Sequence, residues 1–200
     1  MDDNTFWALI EDSRQRSDHP DGRLEVLREQ LARRAPTEIV AFQACLHRVR
    51  QPIDTWDMWC AAELVLGGRC SDDGFWYFQF WVIGLGRAAF DRAAAEPDSL
   101  ADVPELRRLA GRAMDDWRDE EWPDAEALDY VAGEAFDLAT GEEDGFEGAL
   151  EAAGLDLPCC PEPDDAEWDV ADAGEVARRL PRLSRMFPPA ARSGKMSAHP

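Results

Sequence analysis

The stretch that decides the fold reads Leu66-Gly67-Gly68-Arg69-Cys70-Ser71-Asp72-Asp73-Gly74-Phe75-Trp76-Tyr77-Phe78. It joins a run that ends in two glycines to a run of aromatic residues. Glycine is preferred just after a helix because it accepts positive φ. Ser71 or Asp72 is suited to begin the next helix, because its side-chain oxygen can accept hydrogen bonds from the free N–H groups of the first turn. The stretch therefore predicts a helix end, a short loop and a helix start.

The segment that follows, from Phe75 to about Ala95, is apolar nearly all round at first and becomes amphipathic from Arg87. A helix that is apolar on every side is normally buried by its neighbours. We therefore predict one central aromatic helix with the other helices wrapped around it. Its apolar part, Phe75 to Leu85, is too short to span a bilayer.

Apolar residues at helical intervals, with start and stop signals, predict further helices on both sides of this segment. They cover residues 2–16 (capped by Asn4 or Thr5), 24–34, 36–49, 56–65 (capped by Asp54 or Thr55), 100–114, 125–140, 146–153 and 172–187, the last interrupted by Pro181. No segment has a convincing strand pattern. We predict an all-α fold of about seven to nine helices in one compact domain over residues 1–188. The tail, residues 189–200, has no hydrophobic pattern and is predicted to be disordered.

Negative charge is concentrated in one part of the chain. Residues 101–172 hold 24 acidic residues and 4 arginines, a net charge of −20, whereas the whole chain carries −21. Such a surface repels phosphate backbones and anionic lipids, so nucleic-acid and membrane binding are disfavoured. Two interpretations stay open: an acidic outer layer that only solvates helix faces and loops, or an acidic face that meets a basic protein or peptide or mimics nucleic acid.

The cysteines and the N-terminus predict a cytoplasmic location. The five cysteines are odd in number and lack the spacing of a disulfide framework, which favours a reducing compartment. The chain starts with acidic residues, where a signal peptide would need basic ones. One lysine stands against twenty arginines, a bias typical of a GC-rich genome such as an actinobacterium's.

The loop before the central helix holds the residues that could form a site. A helix N-terminus would stabilise a Cys70 thiolate, but Asp72 and Asp73 disfavour a second negative charge. Ser71 and the two aspartates could hold a divalent cation, yet no ligand loop of known spacing surrounds them. The alternative is that one aspartate caps the helix and the other pairs with a core arginine such as Arg87.

Aromatic residues near this loop could line a ligand pocket, in which the glycines would let a ligand approach the backbone, although helical spacing of aromatics is more often core packing. The candidate ligand-binding residues are Trp56, Trp59, Gly67, Gly68, Arg69, Cys70, Ser71, Asp72, Asp73, Tyr77 and Arg87. Phosphate loops, HExxH and GxSxG motifs are absent from the sequence. We therefore assign no catalytic residue, metal ligand or cofactor, and expect no conventional enzyme.

The same motifs carry a family resemblance. Phe6-Trp7, Trp56-Asp57-Met58-Trp59 and the stretch from Gly67-Gly68 to Phe75 resemble the bacterial domain-of-unknown-function family numbered 4240. The likeness covers about residues 3–188. Arg69 looks like an insertion, and Gln79 stands where the resemblance implies an arginine. The activity of the family is not established, so the resemblance implies fold and boundaries more than function.

These observations favour a cytoplasmic, non-catalytic interaction protein of regulatory, accessory or toxin-neutralising type, with an acidic face for a basic partner. The alternative is a small-molecule- or metal-binding protein, or an enzyme, with its site at the loop from Gly67 to Asp73.

Overall fold

The computed structural model describes residues 1–188, and the predicted disordered tail lies outside them. Eleven α-helices and no strand occur in the part of the chain that it describes, and nine of these helices have seven residues or more. They are α1 (Asp3–Arg16), α2 (Pro20–Ala32), α3 (Pro36–Arg50), α4 (Trp56–Val65), α5 (Asp72–Gly84), α6 (Arg87–Ala95), α7 (Pro104–Leu109), α8 (Glu126–Thr140), α9 (Gly145–Ala152), α10 (Ala173–Arg179) and α11 (Leu183–Met186). Short 3-10 turns connect some of them, at Gln51–Ile53, Pro97–Asp102, Met114–Asp116 and Asp119–Glu121. The prediction of an all-α fold with a helix count near nine is confirmed.

Helix α5 is the centre of the core. Phe75, Phe78, Phe80 and Ile83 lie on different sides of this helix and are all fully buried. The helix packs against α3, α4, α6 and α8, which cover most of its apolar surface. The Phe75 ring lies on that of Trp59 in α4, with 4.6 Å between their centroids. The central position that the sequence predicts is therefore what the structure shows.

The prediction of one helix from Phe75 to Ala95 is wrong in one respect, because the structure has two helices there, α5 and α6. The chain turns between α5 and α6 at Gly86, whose φ is +89°. A β-carbon at this position would overlap the side chains of Glu11 and Arg14 from α1. Glycine is required there for the backbone angle, whereas the overlapping atoms of Glu11 and Arg14 are the ends of flexible side chains that can shift. The apolar pattern runs on to Leu85 and hides this break.

One smaller prediction also needs correction, and another is confirmed. The N-cap of α1 is Asp2, which accepts a hydrogen bond from the Thr5 N–H at 3.0 Å, and neither Asn4 nor Thr5 has that role. The predicted interruption at Pro181 is present, since the helical segment 172–187 is divided there into α10 and α11. Proline lacks the N–H that would continue the ladder of hydrogen bonds.

A buried ion pair joins the end of α3 to α5. Arg50 donates one hydrogen bond to Asp54 and one to Gln79 Oε1, each at 2.8 Å. Gln79 Nε2 in turn donates to the other carboxylate oxygen of Asp54 at 3.1 Å. The guanidinium of Arg50 also lies 4.0 Å from the centroid of the Trp76 ring. The core arginine of this fold is thus Arg50.

A second polar cluster lies between α3, α5 and α8. The Asp129 carboxylate accepts hydrogen bonds from Trp76 Nε1 at 3.1 Å and from Gln43 Nε2 at 3.0 Å, and His47 Nε2 lies 3.4 Å away. Burial pushes the pKa of Asp129 upward, but these donors outweigh it and leave the pKa below its ordinary value. Asp129 is therefore a charged group that fixes α8 to α3 and α5.

The segment before α10 returns to the body of the protein. Asp54 accepts a hydrogen bond from the Glu162 N–H at 3.0 Å, and Asp165 accepts one from the Trp56 N–H at 2.9 Å. Trp168 is half-buried, with the guanidinium of Arg179 4.7 Å from its ring centroid. In residues 1–188, none of the helices has the length and apolar character that a membrane crossing requires.

Candidate functional site

The loop from Gly67 to Asp73 has the geometry of a helix end followed by a helix start. Gly67 and Gly68 have φ values of +63° and +78°, and the Gly68 N–H donates to the Glu63 carbonyl at 2.8 Å. Ser71 Oγ accepts a hydrogen bond from the Gly74 N–H at 3.1 Å and so caps α5. The predicted glycine stop and serine cap are both present, and they account for three of the conspicuous residues.

Cys70 has the surroundings of an unreactive thiol. Its side chain is half-buried, and its backbone N–H donates to Glu63 Oε2 at 3.2 Å. Burial first, and then the negative charges of Glu63 and Asp72, raise the pKa of Cys70 to about 12. Because the thiolate is the nucleophilic form, this thiol has little reactivity near pH 7.

The exposed residues of the loop do not gather around one point. Arg69, Asp72 and Asp73 are all exposed at the protein surface. The proposed pairing of an aspartate with Arg87 does not form, because Arg87 is bonded to Asn4 Oδ1 at 2.8 Å beyond the opposite end of α5. Within residues 1–188, no group of three or more His, Cys, Asp or Glu side chains is arranged to hold a metal ion.

The predicted aromatic residues fall into two places. Trp56 and Trp59 are half-buried neighbours, 5.8 Å apart between ring centroids, beside the first turn of α5. Tyr77 faces α8, and its hydroxyl donates to Glu126 Oε1 at 3.0 Å. The structure therefore places Trp56 and Trp59 next to the loop and separates Tyr77 and Arg87 from it.

The structure contains a larger concavity that the sequence did not indicate. This groove, called here the acidic groove, has a volume of about 1170 Å³ and lies between α1, α2, the end of α5, α7 and the segment 118–128. Apolar side chains from four of these elements line it: Ile10, Leu24, Leu27, Trp81, Leu85 and Leu128. Most of them belong to the hydrophobic core, so the groove exposes one edge of that core.

Charged side chains surround this apolar lining. Eight are acidic, namely Asp18, Asp21, Glu105, Asp119, Glu120, Glu121, Asp124 and Glu126, whereas four are arginines, namely Arg14, Arg23, Arg108 and Arg118. The net charge of the lining is therefore −4 with His19 neutral. A concave surface of one dominant sign concentrates its field and attracts ligands of the opposite charge.

Two tryptophans give the groove an aromatic wall. Trp81 is half-buried on α5, and Trp122 is one of the exposed large apolar side chains among residues 1–188. The Trp122 ring is held edge-on against that of Trp117, with centroids 5.1 Å apart. The sequence signal for this wall is a pair of tryptophans, Trp117 and Trp122, within an acidic segment.

The chain is similar to one family of known proteins. The model of the family described as "Protein of unknown function (DUF4240)" matches residues 1–138. The chain belongs to this family. No match to the chain was found among curated proteins or among solved structures.

The DUF4240 match contains both candidate sites. It extends from the N-terminus into α8, so it includes the loop from Gly67 to Asp73 and all the elements that form the acidic groove. Helices α9 to α11 lie beyond the matched residues. The groove is therefore a property of the DUF4240 part of the chain.

The acidic surface of this DUF4240 chain is only sparsely neutralised. Of the 24 acidic residues between 101 and 172, five lie within ion-pair distance of a basic side chain in residues 1–188. They are Asp102, Glu120, Glu121, Asp129 and Glu134. The other carboxylates present uncompensated negative charge at or near the surface.

Proposed function

We propose that the protein is a cytoplasmic, non-catalytic interaction protein, of regulatory, accessory or toxin-neutralising type, whose acidic face binds a basic partner. The observation that supports this proposal is the small number of ion pairs in the acidic region: five of its 24 acids have a basic neighbour within residues 1–188.

The physical reason is the cost of self-repulsion. Carboxylates that lack cations repel one another, and a folded chain with this surface is stabilised when a basic partner neutralises it. Complementary charge also speeds the encounter of two proteins and excludes partners of the wrong sign. An excess of unpaired acids on one part of the surface is therefore well suited to selecting a basic protein.

The rival function places a ligand, metal or catalytic site at the loop from Gly67 to Asp73. Two observations weigh against it: Ser71 is used as the cap of α5, and the pKa of Cys70 is raised to about 12. If the rival is correct, a metal ion or metabolite raises the melting temperature, and Asp73→Asn abolishes that rise without unfolding the protein.

The experiment that tests the proposal measures salt dependence. The immobilised protein captures partners from a bacterial lysate, and the Kd of each purified partner is then measured at rising NaCl concentrations. We expect the partner to be basic and its affinity to fall steeply with salt, because exposed charges are screened over about 10 Å at 0.1 M. Cys70→Ser and Asp73→Asn should leave the Kd unchanged. Affinity that does not respond to salt, or is lost in these two variants while they remain folded, contradicts the proposal.

A further inference from the structure

We propose that the acidic groove is the docking site for a peptide segment of the basic partner, and that an arginine of this segment binds against Trp81 and Trp122. This inference rests on the proposed function, since it names where and by what chemistry the basic partner is held.

The size of the groove favours a peptide over a small metabolite. Pockets for small ligands have volumes of about 300–1,000 Å³. The acidic groove, at about 1170 Å³, lies above that range, and residues from five parts of the fold line it. An elongated occupant with several side chains fits such a surface better than a compact molecule.

The charges of the lining specify a basic occupant. Asp18, Glu105 and Asp119 have no hydrogen-bonded or ion-paired side-chain partner among residues 1–188. Asp18 and Asp119 are exposed and Glu105 is half-buried, so their negative charges face the groove and attract a cation from solution. These three side chains are therefore available to an incoming cation. Asp18 lies just before α2, Glu105 lies on α7 and Asp119 lies in the segment 118–128.

Most of the arginines in the groove already have partners. Arg118 pairs with Glu120 at 2.8 Å and with Glu121 at 3.3 Å. Arg14 pairs with Glu11 at 2.9 Å, and Arg23 donates to the carbonyl oxygen of Ser17 at 3.0 Å. Burial lowers the pKa of Arg23, whereas the nearby charges of Glu105 and Asp18 act to raise it, so Arg23 partly offsets these two carboxylates. The lining still holds eight acidic residues against four arginines, so the excess negative charge of the groove persists.

The aromatic wall favours arginine over lysine. A guanidinium stacks on tryptophan faces and donates paired hydrogen bonds to carboxylates at the same time. Trp81 and Trp122 supply the faces, and Glu105 and Asp119 supply carboxylates in the same groove. Lysine, a strongly hydrated point charge, gains less from such a site.

The binding test uses defined peptides and fluorescence anisotropy. The probe is a fluorescein-labelled peptide of alternating arginine and alanine, compared with the same peptide carrying lysine. The full chain should bind the arginine peptide more tightly than the lysine peptide. Equal or tighter binding of the lysine peptide overturns the assignment of arginine.

A pair of glycine substitutions tests the location without changing any charge. Gly84 lines the groove, and a β-carbon there would meet no atom within 4 Å, so Gly84→Leu places a branched apolar side chain in the groove. A β-carbon at Gly148 on α9 would also meet no atom within 4 Å, and Gly148 lies outside the groove, so Gly148→Leu is the matched control. We expect Gly84→Leu to weaken binding by about tenfold or more, a typical effect of blocking one anchoring side chain. Gly148→Leu should bind as the native protein does.

A second pair of variants provides an independent readout. Trp122→Leu removes an exposed ring of the wall, and Glu105→Gln removes a free carboxylate, with Glu151→Gln on α9 as a charge-matched control. Melting temperatures verify that each variant is folded. One result would overturn the groove and leave an acidic interaction face intact. In that result the affinity falls equally in Glu105→Gln and Glu151→Gln, and it stays native in Gly84→Leu and Trp122→Leu. Failure of the native chain to bind either peptide at low salt overturns the groove and the proposed function together.

Discussion

Replacement of Asp54 by asparagine should strongly destabilise the protein, although the change only exchanges one carboxylate oxygen for an NH₂ group. Arg50 and Asp54 are 2% and 7% exposed, so the charge of Arg50 is neutralised by a carboxylate that is itself nearly buried. One oxygen of Asp54 accepts from Arg50 and from the Glu162 N–H, and the other accepts from Gln79 Nε2. The substitution removes the counter-charge and also converts one acceptor into a donor.

No arrangement of the amides can repair this cluster. If the introduced asparagine turns its oxygen toward Arg50, its NH₂ faces the NH₂ of Gln79. If Gln79 flips to accept that bond, its own NH₂ group then faces the Arg50 guanidinium. In the native protein Gln79 instead offers its oxygen to Arg50, at 2.8 Å. Removing one partner of a buried ion pair costs about 3–5 kcal/mol. For a domain of this size that corresponds to a fall in Tm of about 6–20 °C.

Urea denaturation of Asp54→Asn checks this prediction, with Asp57→Asn as the control. Asp57 accepts from Arg179 at 2.9 Å, but both side chains of that pair are about one-third exposed. Solvent-exposed pairs contribute little, so the control should keep almost the native midpoint. A loss below about 1 kcal/mol for Asp54→Asn, or equal losses in the two variants, would refute the reasoning about burial.

Three further predictions concern the central motif and its neighbours. Gln79→Arg should lower the free energy of unfolding by at least about 3 kcal/mol in urea denaturation, because it places a second guanidinium beside the buried Arg50. Gly67→Ala and Gly68→Ala should each cost about 1–2 kcal/mol, because both glycines have positive φ; thermal melts should show similar losses, since the Met114 methyl group that a β-carbon at Gly67 would approach to 2.9 Å ends a flexible side chain and can move aside. Cys70 should be alkylated by iodoacetamide far more slowly than the exposed Cys159, as followed by mass spectrometry, because a pKa of about 12 leaves about one thiolate in 10,000 at pH 8, and its rate should still be rising at pH 10. Comparable rates at pH 8 would contradict the assignment of Cys70 as an unreactive thiol.

Local signals in the sequence were sufficient for the turn before α5. The two glycines, the serine cap and the aromatic run act over a few residues, and their effect does not depend on distant parts of the chain. The turn at Gly86 rests on the positive φ that glycine accepts, but the apolar residues continue through this region to Leu85 and favour one unbroken helix. Single-sequence reasoning therefore found the helix start and missed the helix end.

The buried polar clusters show the same limit in another form. Gln79 stands in an apolar helix where the family resemblance implies an arginine, and the sequence alone did not reveal a partner for it. In the structure that partner is Arg50, 29 residues earlier in the chain, and it fits because Gln79 offers both an acceptor and a donor. A polar residue within an otherwise apolar helix is a usable signal that a buried partner exists, since buried polar groups are normally hydrogen-bonded. Which residue is the partner depends on helix packing.

The acidic groove follows from two properties that lie in different parts of the chain. Its apolar lining comes mainly from α1, α2 and α5, which belong to the less acidic first half of the chain (17 acidic residues and 11 arginines in residues 1–100), whereas Glu105 and the carboxylates of the segment 119–126 belong to the strongly acidic region. Neither part alone makes a binding surface: an acidic segment without an apolar floor is merely solvated, and an exposed core edge without charge has no selectivity for a basic partner. The docking of the segment 118–128 beside α5, fixed in part by the hydrogen bond of 3.2 Å from the Ala125 N–H to the Tyr77 carbonyl, brings the two together. Charge patterning could therefore predict the sign of the proposed partner, whereas the location of the proposed docking site depends on the fold.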